Sequence, residues 1–123
     1  MREIKFKAWD KNTKQIIKDF VIRSDGFVVI LEGDGKSGQY MQNDFELMQF
    51  TGLLDKNSVE IYEGDIVKWW HIAYQEEVET LETVEFIEGA FYPIVEMDLR
   101  DGAEQFEVIG NIYENAELIK ELI

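Results

Sequence analysis

The sequence predicts a small all-β protein, mainly β, with one short C-terminal helix. Two observations favour this class: apolar and polar residues alternate over short runs, and clusters of turn-forming residues separate those runs at close intervals. A third observation is the size of the chain. Its 123 residues are 46% hydrophobic and include no cysteine, so one compact domain, or two very small ones, can bury a core without disulfide bonds.

The N-terminal part is predicted to begin with a β-hairpin. Its first strand alternates between an apolar side and an outward side, as a strand with one buried face requires. The apolar side carries Ile4, Phe6 and Ala8, and the outward side carries Lys5, Lys7 and Trp9. Residues 10–14 favour a tight turn and residues 15–22 the returning strand, so the hairpin spans residues 2–22. Residues 27–31 predict a third strand.

The C-terminal part has the stronger β pattern. The predicted strands are residues 45–50, 66–72, 84–87, 91–97 and 105–112. Between Val78 and Val84 the apolar residues change parity, because Leu81 falls on the other side of a regular strand. We therefore expect an acidic loop with an irregular strand there. Asn115 is a favourable N-cap for the short C-terminal helix.

Three blocks of the sequence carry a family resemblance. They are residues 4–10, residues 47–67 with the string Glu60-Ile-Tyr-Glu-Gly-Asp-Ile-Val67, and residues 108–115. In this order and spacing the chain resembles the YopX-like family of small phage and prophage proteins from low-GC Gram-positive bacteria. It departs from the family pattern at Ser58, where the turn usually ends in glycine, and at Ala116, where proline is expected at the first helical position.

The resemblance implies a division of the chain and a place of action. Residues 1–45 would form an N-terminal β-hairpin region, and residues 46–123 a C-terminal SH3-like barrel with the terminal helix. It implies a protein that works in the cytoplasm of a bacterial host cell, and it supplies no catalytic residue. The shared positions are expected to be structural, with Gly52 and Gly64 as turn glycines and Asp65 as an acceptor for nearby backbone N–H groups.

The charge is large and unevenly distributed. The chain has 12 basic and 26 acidic residues, a formal net charge of −14. Residues 1–23 hold seven basic residues, whereas residues 73–107 hold eleven carboxylates and one arginine. This asymmetry favours a protein partner or a second copy of the chain, although two ordinary solvated faces give the same pattern. The charge disfavours nucleic acid and anionic membranes, and no apolar run approaches the ~18 residues of a membrane helix.

The sequence favours a protein that is not an enzyme and needs no cofactor. His71 is the only histidine, so catalytic triads and histidine-rich metal sites lack material. The string from Gly33 to Gly38 matches the glycine pattern of a dinucleotide-binding loop, but no βαβ unit follows, so we expect a hairpin loop. Glu76, Glu77 and Glu79 could chelate calcium, and a solvated acidic face is the alternative that we favour.

Adjacent tryptophans define the main candidate interface. Neighbouring residues on a strand point to opposite faces, so a one-sided sheet can bury only one of the two. We assign Val67 and Trp69 to the core. Trp70 then lies with Ile66 and Ile72 on the other face, where the indole needs a cover from another part of the chain or from a protein partner.

A second candidate surface combines Trp9 with Lys5 and Lys7. An exposed indole could stack on a nucleobase while the lysines contact phosphate, and the acidic half of the chain could instead mimic DNA. The sequence therefore predicts a protein-interaction module that self-associates or docks on another protein, with a nucleic-acid-related role as the alternative.

Overall fold

The computed structural model describes residues 3–31, 38–40, 45–94 and 105–120. These residues form strands and one short helix, which confirms the all-β class. The strands are β1 Phe6–Asp10, β2 Gln15–Ile17, β3 Phe20–Ile22, β4 Val28–Leu31, β5 Gly38–Tyr40, β6 Phe45–Leu54, β7 Glu60–Tyr62, β8 Asp65–Ala73, β9 Glu76–Thr83, β10 Glu85–Ile87, β11 Ala90–Tyr92 and β12 Phe106–Asn111, and the helix is α1 Ala116–Lys120. Within the described residues, the chain has no helix with the length and hydrophobicity of a membrane span.

The chain divides into two compact units. The smaller unit is Phe6–Met48, and the larger one joins residues 1–5 to residues 49–123. The boundary lies inside β6, three residues after the division at residue 45 that the sequence analysis proposes.

The smaller unit contains the hairpin predicted at the N-terminus. β1 pairs antiparallel with β2, with Ala8 opposite Ile17. Asp10 organises the turn, because its Oδ1 accepts hydrogen bonds from the backbone N–H groups of Asn12 (2.9 Å) and Thr13 (3.3 Å). The turn that the sequence predicts over residues 10–14 is confirmed.

The returning strand is shorter than predicted. The prediction of one strand over residues 15–22 is wrong, because the exposed pair Lys18 and Asp19 interrupts it. Residues 20–22 continue as β3, which pairs with β4 in a separate sheet of order β3-β4-β5. The core of this unit consists of Ala8, Val28 and Phe45, packed against Ile17, Phe20 and Leu47.

β8 is the central strand of the larger unit. It pairs antiparallel with β9 from Ile66 opposite Thr83 to Ala73 opposite Glu76, and with β12 along its other side. The buried core consists of Ile61, Val67, Trp69, Val84, Ile94 and Phe106. The assignment of Val67 and Trp69 to the core is therefore confirmed.

The acidic segment that follows β8 is a regular strand. The expectation of an acidic loop with an irregular strand between Val78 and Val84 is wrong, because β9 pairs with β8 without a register shift. Val78 and Leu81 lie on opposite faces of β9, and both are only partly buried. Since neither face of β9 is fully sealed from water, its apolar residues do not have to keep one parity.

The shared glycines and Asp65 have different local roles. Gly64 (φ 89°) lies in the turn before β8, as predicted. Gly52 (φ 91°) lies inside β6, at the register shift between Phe50 and Leu54, so the prediction of a turn there is wrong. Some β-bulges place a glycine in the same left-handed region as many turns do, so the glycine alone does not distinguish the two. Asp65 Oδ2 accepts a hydrogen bond from the backbone N–H of Tyr62 (2.8 Å), as predicted.

Candidate functional site

A buried carboxylate holds the turn after β6 against β12. Asp55 Oδ1 accepts hydrogen bonds from the backbone N–H groups of Asn57 (2.7 Å) and Val59 (2.9 Å), and its Oδ2 accepts one from Val108 (2.8 Å). The backbone N–H of Lys56 donates to the carbonyl oxygen of Phe106 (3.0 Å). Lys56 is therefore fixed beside β12.

One face of the sheet β12-β8-β9 carries the residues that the sequence analysis singles out around Trp70. Along β8, core residues alternate with Lys68, Trp70 and Ile72, which lie on one face of the sheet. Their cross-strand partners lie on the same face. We call this surface the Trp70 face, and it comprises Lys68, Trp70, Ile72, Glu77, Glu79, Leu81 and Glu107. Its residues come from three strands of one sheet, so the backbone ladder fixes their spacing.

Lys56 supplies part of the cover that Trp70 needs. The Lys56 Nζ lies 4.3 Å from the centroid of the Trp70 ring and 3.2 Å from Glu107 Oε2. Trp70 is only partly buried by this arrangement. An exposed cation–π contact contributes about 0.5–1 kcal/mol, and an exposed ion pair contributes less, so a partner can displace the lysine at little cost.

The three apolar residues that the sequence analysis places together, Ile66, Trp70 and Ile72, differ in accessibility. Ile66 is fully buried, whereas the side chain of Ile72 is 70% exposed. Lys68 stands between Ile66 and Trp70, and its Nζ lies 3.6 Å from Glu79 Oε1. Ile66 therefore offers nothing to a partner, and the accessible apolar surface is that of Trp70 and Ile72 with the partly buried Leu81.

The tip of the β8–β9 hairpin extends this surface. Tyr74 is fully exposed, and the two-residue turn Tyr74–Gln75 has φ values of 53° and 69°. Two left-handed residues in succession make a tight hairpin turn whose twist matches the strands. Sequence reasoning missed Tyr74, because the acidic loop expected after β8 hid the second strand of the hairpin.

The opposite face of β8 is built into the core. The ring of His71 stacks on that of Trp69, with centroids 3.7 Å apart and planes at 15°, and its Nε2 lies 3.2 Å from Thr80 Oγ1. Glu77 lies on the Trp70 face, whereas Glu76 lies on the opposite side of β9. Within the described ranges, no group of three or more His, Cys, Asp or Glu residues has a metal-binding arrangement.

The second candidate surface is split between the two units. In the larger unit, Lys5 forms ion pairs with Glu3 (3.3 Å) and Glu60, and its Nζ lies 4.8 Å from the Phe50 ring centroid. The hydrogen bond to Glu60 raises the pKa of Lys5, because it favours the charged ammonium. Burial raises the pKa of Tyr62, whose hydroxyl donates to Glu60 Oε1 (3.3 Å).

Lys7 and Trp9 belong to the smaller unit and lie on β1 on either side of buried Ala8. Two other cations of this unit are paired with carboxylates. Lys11 lies 2.9 Å from Glu46 and Arg23 lies 2.8 Å from Asp25. The basic hairpin therefore presents a weaker positive field than its composition suggests. The glycine-rich loop at residues 33–37 lies outside the described residues.

Fold and surface together define a small all-β protein with an accessible aromatic and aliphatic sheet face. The family model described as YopX protein matches residues 5–120, and the chain belongs to this family. No curated protein sequence matches the chain.

Two solved structures share the fold. Protein EF1440 from Enterococcus faecalis has a TM-score of 0.67 at 24% identity, over 97% of this chain and 99% of that one. The yopX protein from Bacillus subtilis has a TM-score of 0.60 at 22% identity, over 96% and 98% of the two chains. At this level of identity the similarity shows the fold alone.

Proposed function

We propose that this chain is a non-enzymatic protein-interaction module that docks through the Trp70 face and the adjacent hairpin tip. Phage or prophage origin and action in the bacterial cytoplasm are part of the proposal. The observation that carries it is the exposure of Ile72 and Tyr74 beside a partly buried Trp70, on one hairpin. Aromatic and aliphatic side chains in such a group are typical anchors of protein interfaces.

The surroundings of these anchors support an interface. Glu77 and Glu79 lie beside Ile72 and Trp70 in the cross-strand register, so charged groups border the apolar group. Interfaces have this arrangement, with an apolar centre and a polar rim that excludes water. Trp70 and Ile72 lie on a paired strand, and Tyr74 lies in a tight two-residue turn, so little conformational entropy is lost when a partner binds.

Self-association is one form of this proposal. The acidic hairpin of one copy could contact the basic hairpin of another, because the two segments have opposite charge. Such a contact closes into a two-fold dimer when each copy pairs both of its hairpins, and otherwise generates rings or filaments. A net charge of −14 on each copy opposes it, so a partner of different sequence is the arrangement that we favour. Direct nucleic-acid binding is less favoured, because Glu3 and Glu60 already neutralise Lys5.

The test combines sedimentation with affinity capture from a low-GC Gram-positive lysate. The wild-type chain is compared with a double variant, Ile72→Thr with Tyr74→Asn, which keeps residue types suited to a strand and a left-handed turn. We expect the double variant to lose the proteins or the self-association of wild type. Val59→Thr, at another exposed apolar side chain of the larger unit, is the matched control.

Two results would contradict the proposal. The first is that the double variant captures the same proteins as the wild-type chain and the Val59→Thr control do. The second is a wild-type chain that sediments as a monomer at micromolar concentration and captures nothing.

A further inference from the structure

Among the described residues, β9 is an edge strand. The sheet has the order β12-β8-β9, so only one side of β9 is paired with β8. β9 spans eight residues without a register shift or a bulge in its pairing. A long and regular edge strand is a template for the addition of another strand.

The hydrogen bonds of β8 show which groups of β9 point outward. The backbone N–H of Trp70 donates to the carbonyl oxygen of Gln105 (2.9 Å), so the backbone of Trp70 faces away from β9. Glu79, directly opposite, then forms a non-hydrogen-bonded pair with Trp70 and directs its own N–H and C=O away from β8. By alternation Glu77 and Leu81 do the same. Among the described residues, no backbone group bonds to these three.

The side chains along this edge determine what can pair with it. Glu77 and Glu79 lie on the Trp70 face, and Glu76 and Glu82 lie on the other face of the same strand. Like charges directly opposite each other destabilise a strand pair, whereas opposite charges stabilise it. A second copy of β9 would bring four more carboxylates to the same edge, so the two strands would repel each other. The complementary strand therefore carries Lys or Arg.

We propose that the outer edge of β9 binds an extended basic segment of a partner protein as an additional strand. The inference rests on the proposed function and names the class of partner. Backbone hydrogen bonds would supply the affinity, and lysine or arginine side chains opposite Glu77 and Glu79 would supply the selectivity.

The probe is a synthetic peptide of alternating lysine and valine, as long as β9. Two further versions carry N-methyl groups, one on its odd residues and the other on its even residues. Because the N–H groups of alternate residues point to opposite edges of a strand, each version lacks the backbone donors of one edge only. We expect the unmodified peptide to slow hydrogen exchange at Glu77, Glu79 and Leu81. One N-methylated version is expected to bind at least about tenfold more weakly and the other to retain its affinity. Equal binding of all three versions would overturn the proposal, since it would show attraction by charge alone.

A variant of the protein tests the charge requirement. Glu77→Gln with Glu79→Gln is expected to weaken binding of the lysine–valine peptide at least about tenfold. Glu85→Gln with Glu88→Gln, two exposed carboxylates of the β10–β11 hairpin, is the matched control and is expected to bind as wild type. Equal loss in both double variants would overturn a specific site on β9.

The outcomes separate this inference from the function it rests on. In the first case, the peptide does not bind, but the double variant Ile72→Thr with Tyr74→Asn still loses capture from the lysate. The proposal of strand addition by a basic segment is then wrong, and docking through the Trp70 face stands. If the peptide binds β9 but that double variant captures as wild type does, the Trp70 face is not the docking surface and the edge site stands.

Discussion

At the scale of single residues, Asp55 connects the stability of the fold to the shape of the candidate surface. Its carboxylate accepts three backbone hydrogen bonds, two inside its own turn and one from Val108 on β12. Lys56 follows it directly and covers the Trp70 ring. Loss of the Asp55 carboxylate would therefore disturb both the turn and the cover of Trp70.

Asp55→Ala is expected to lower the free energy of unfolding by about 3 kcal/mol, because several backbone N–H groups that are partly or fully shielded from water lose their acceptor. Chemical denaturation measures the change. Asp25→Ala is the control, because Asp25 is exposed, accepts one backbone hydrogen bond from Phe27 (3.2 Å) and forms an exposed ion pair with Arg23, and it is expected to cost about 0.5 kcal/mol or less. Equal losses in the two variants would contradict the role given to Asp55.

Tyr62 and Lys5 predict a loss of stability in alkaline solution. The folded state raises the pKa of Tyr62 above its ordinary value of 10.0, and that of Lys5 above 10.5. A group whose pKa is raised by folding stabilises the fold fully below its unfolded pKa, and this contribution is lost as pH rises through the folded pKa. The free energy of unfolding is therefore expected to fall above pH 10.

Substitution isolates the part of this loss that Tyr62 contributes. Tyr62→Phe keeps the buried ring and removes the hydroxyl, so its stability is expected to fall less steeply above pH 10 than that of wild type. Tyr74→Phe, at a fully exposed position, serves as the control and is expected to follow the wild-type curve. Identical pH curves for wild type and Tyr62→Phe would contradict the argument.

At the scale of elements, the junction of β12 and α1 depends on a close approach of two residues. A Cβ added at Gly110 would lie 2.5 Å from Asn115 Oδ1 and 2.7 Å from its Cγ. That oxygen accepts a hydrogen bond from the backbone N–H of Asn111 (3.1 Å). Asn115 stands at the predicted N-cap position, immediately before α1, but its side chain bonds back toward β12.

Gly110→Ala is expected to lower the free energy of unfolding by about 2 kcal/mol, because the methyl group overlaps Asn115. The double variant Gly110→Ala with Asn115→Ala lacks the Oδ1 and Cγ atoms of Asn115, which are the atoms that the added methyl group overlaps. The double variant is therefore expected to lose at least about 1 kcal/mol less than the sum of the two single losses, measured by chemical denaturation. Additive losses would show that the two residues do not interfere.

The sequence predicts elements whose burial is one-sided and misses those whose burial is not. β8 was predictable because its core-facing residues, Val67 and Trp69, recur with the period of a strand. β9 was not, because Val78 and Leu81 are both only partly buried and impose no common parity. The Gly52 bulge was also hidden, since its glycine has the same positive φ as a turn glycine.

The candidate surface was predictable only in part, for a related reason. Alternation places Trp70 and Ile72 on one face, as the sequence analysis expects. The lysine that covers Trp70 could not be identified from the sequence. The hydrogen bond from Val108 to Asp55 joins two segments that are far apart in the chain, and this bond brings the adjacent Lys56 next to the Trp70 ring. Alternation also could not show that Ile66 is fully buried while Ile72 is exposed.

At the scale of the whole molecule, the net charge and the exposed anchors favour the same kind of partner. A charge of −14 repels a second copy and attracts a basic protein. The carboxylates of β9 place part of this charge beside the exposed Ile72 and the partly buried Trp70. Electrostatic attraction would speed the encounter, and burial of the anchors would supply the lasting affinity.

The most direct test of docking through the Trp70 face is hydrogen exchange, compared between the free chain and the chain bound to the partner it captures. The account predicts that exchange slows in residues 70–83, across the β8–β9 hairpin, and changes little in the β10–β11 hairpin, whose Phe86 and Ile87 are also exposed. Slower exchange confined to residues 85–92, or to the smaller unit, would contradict it.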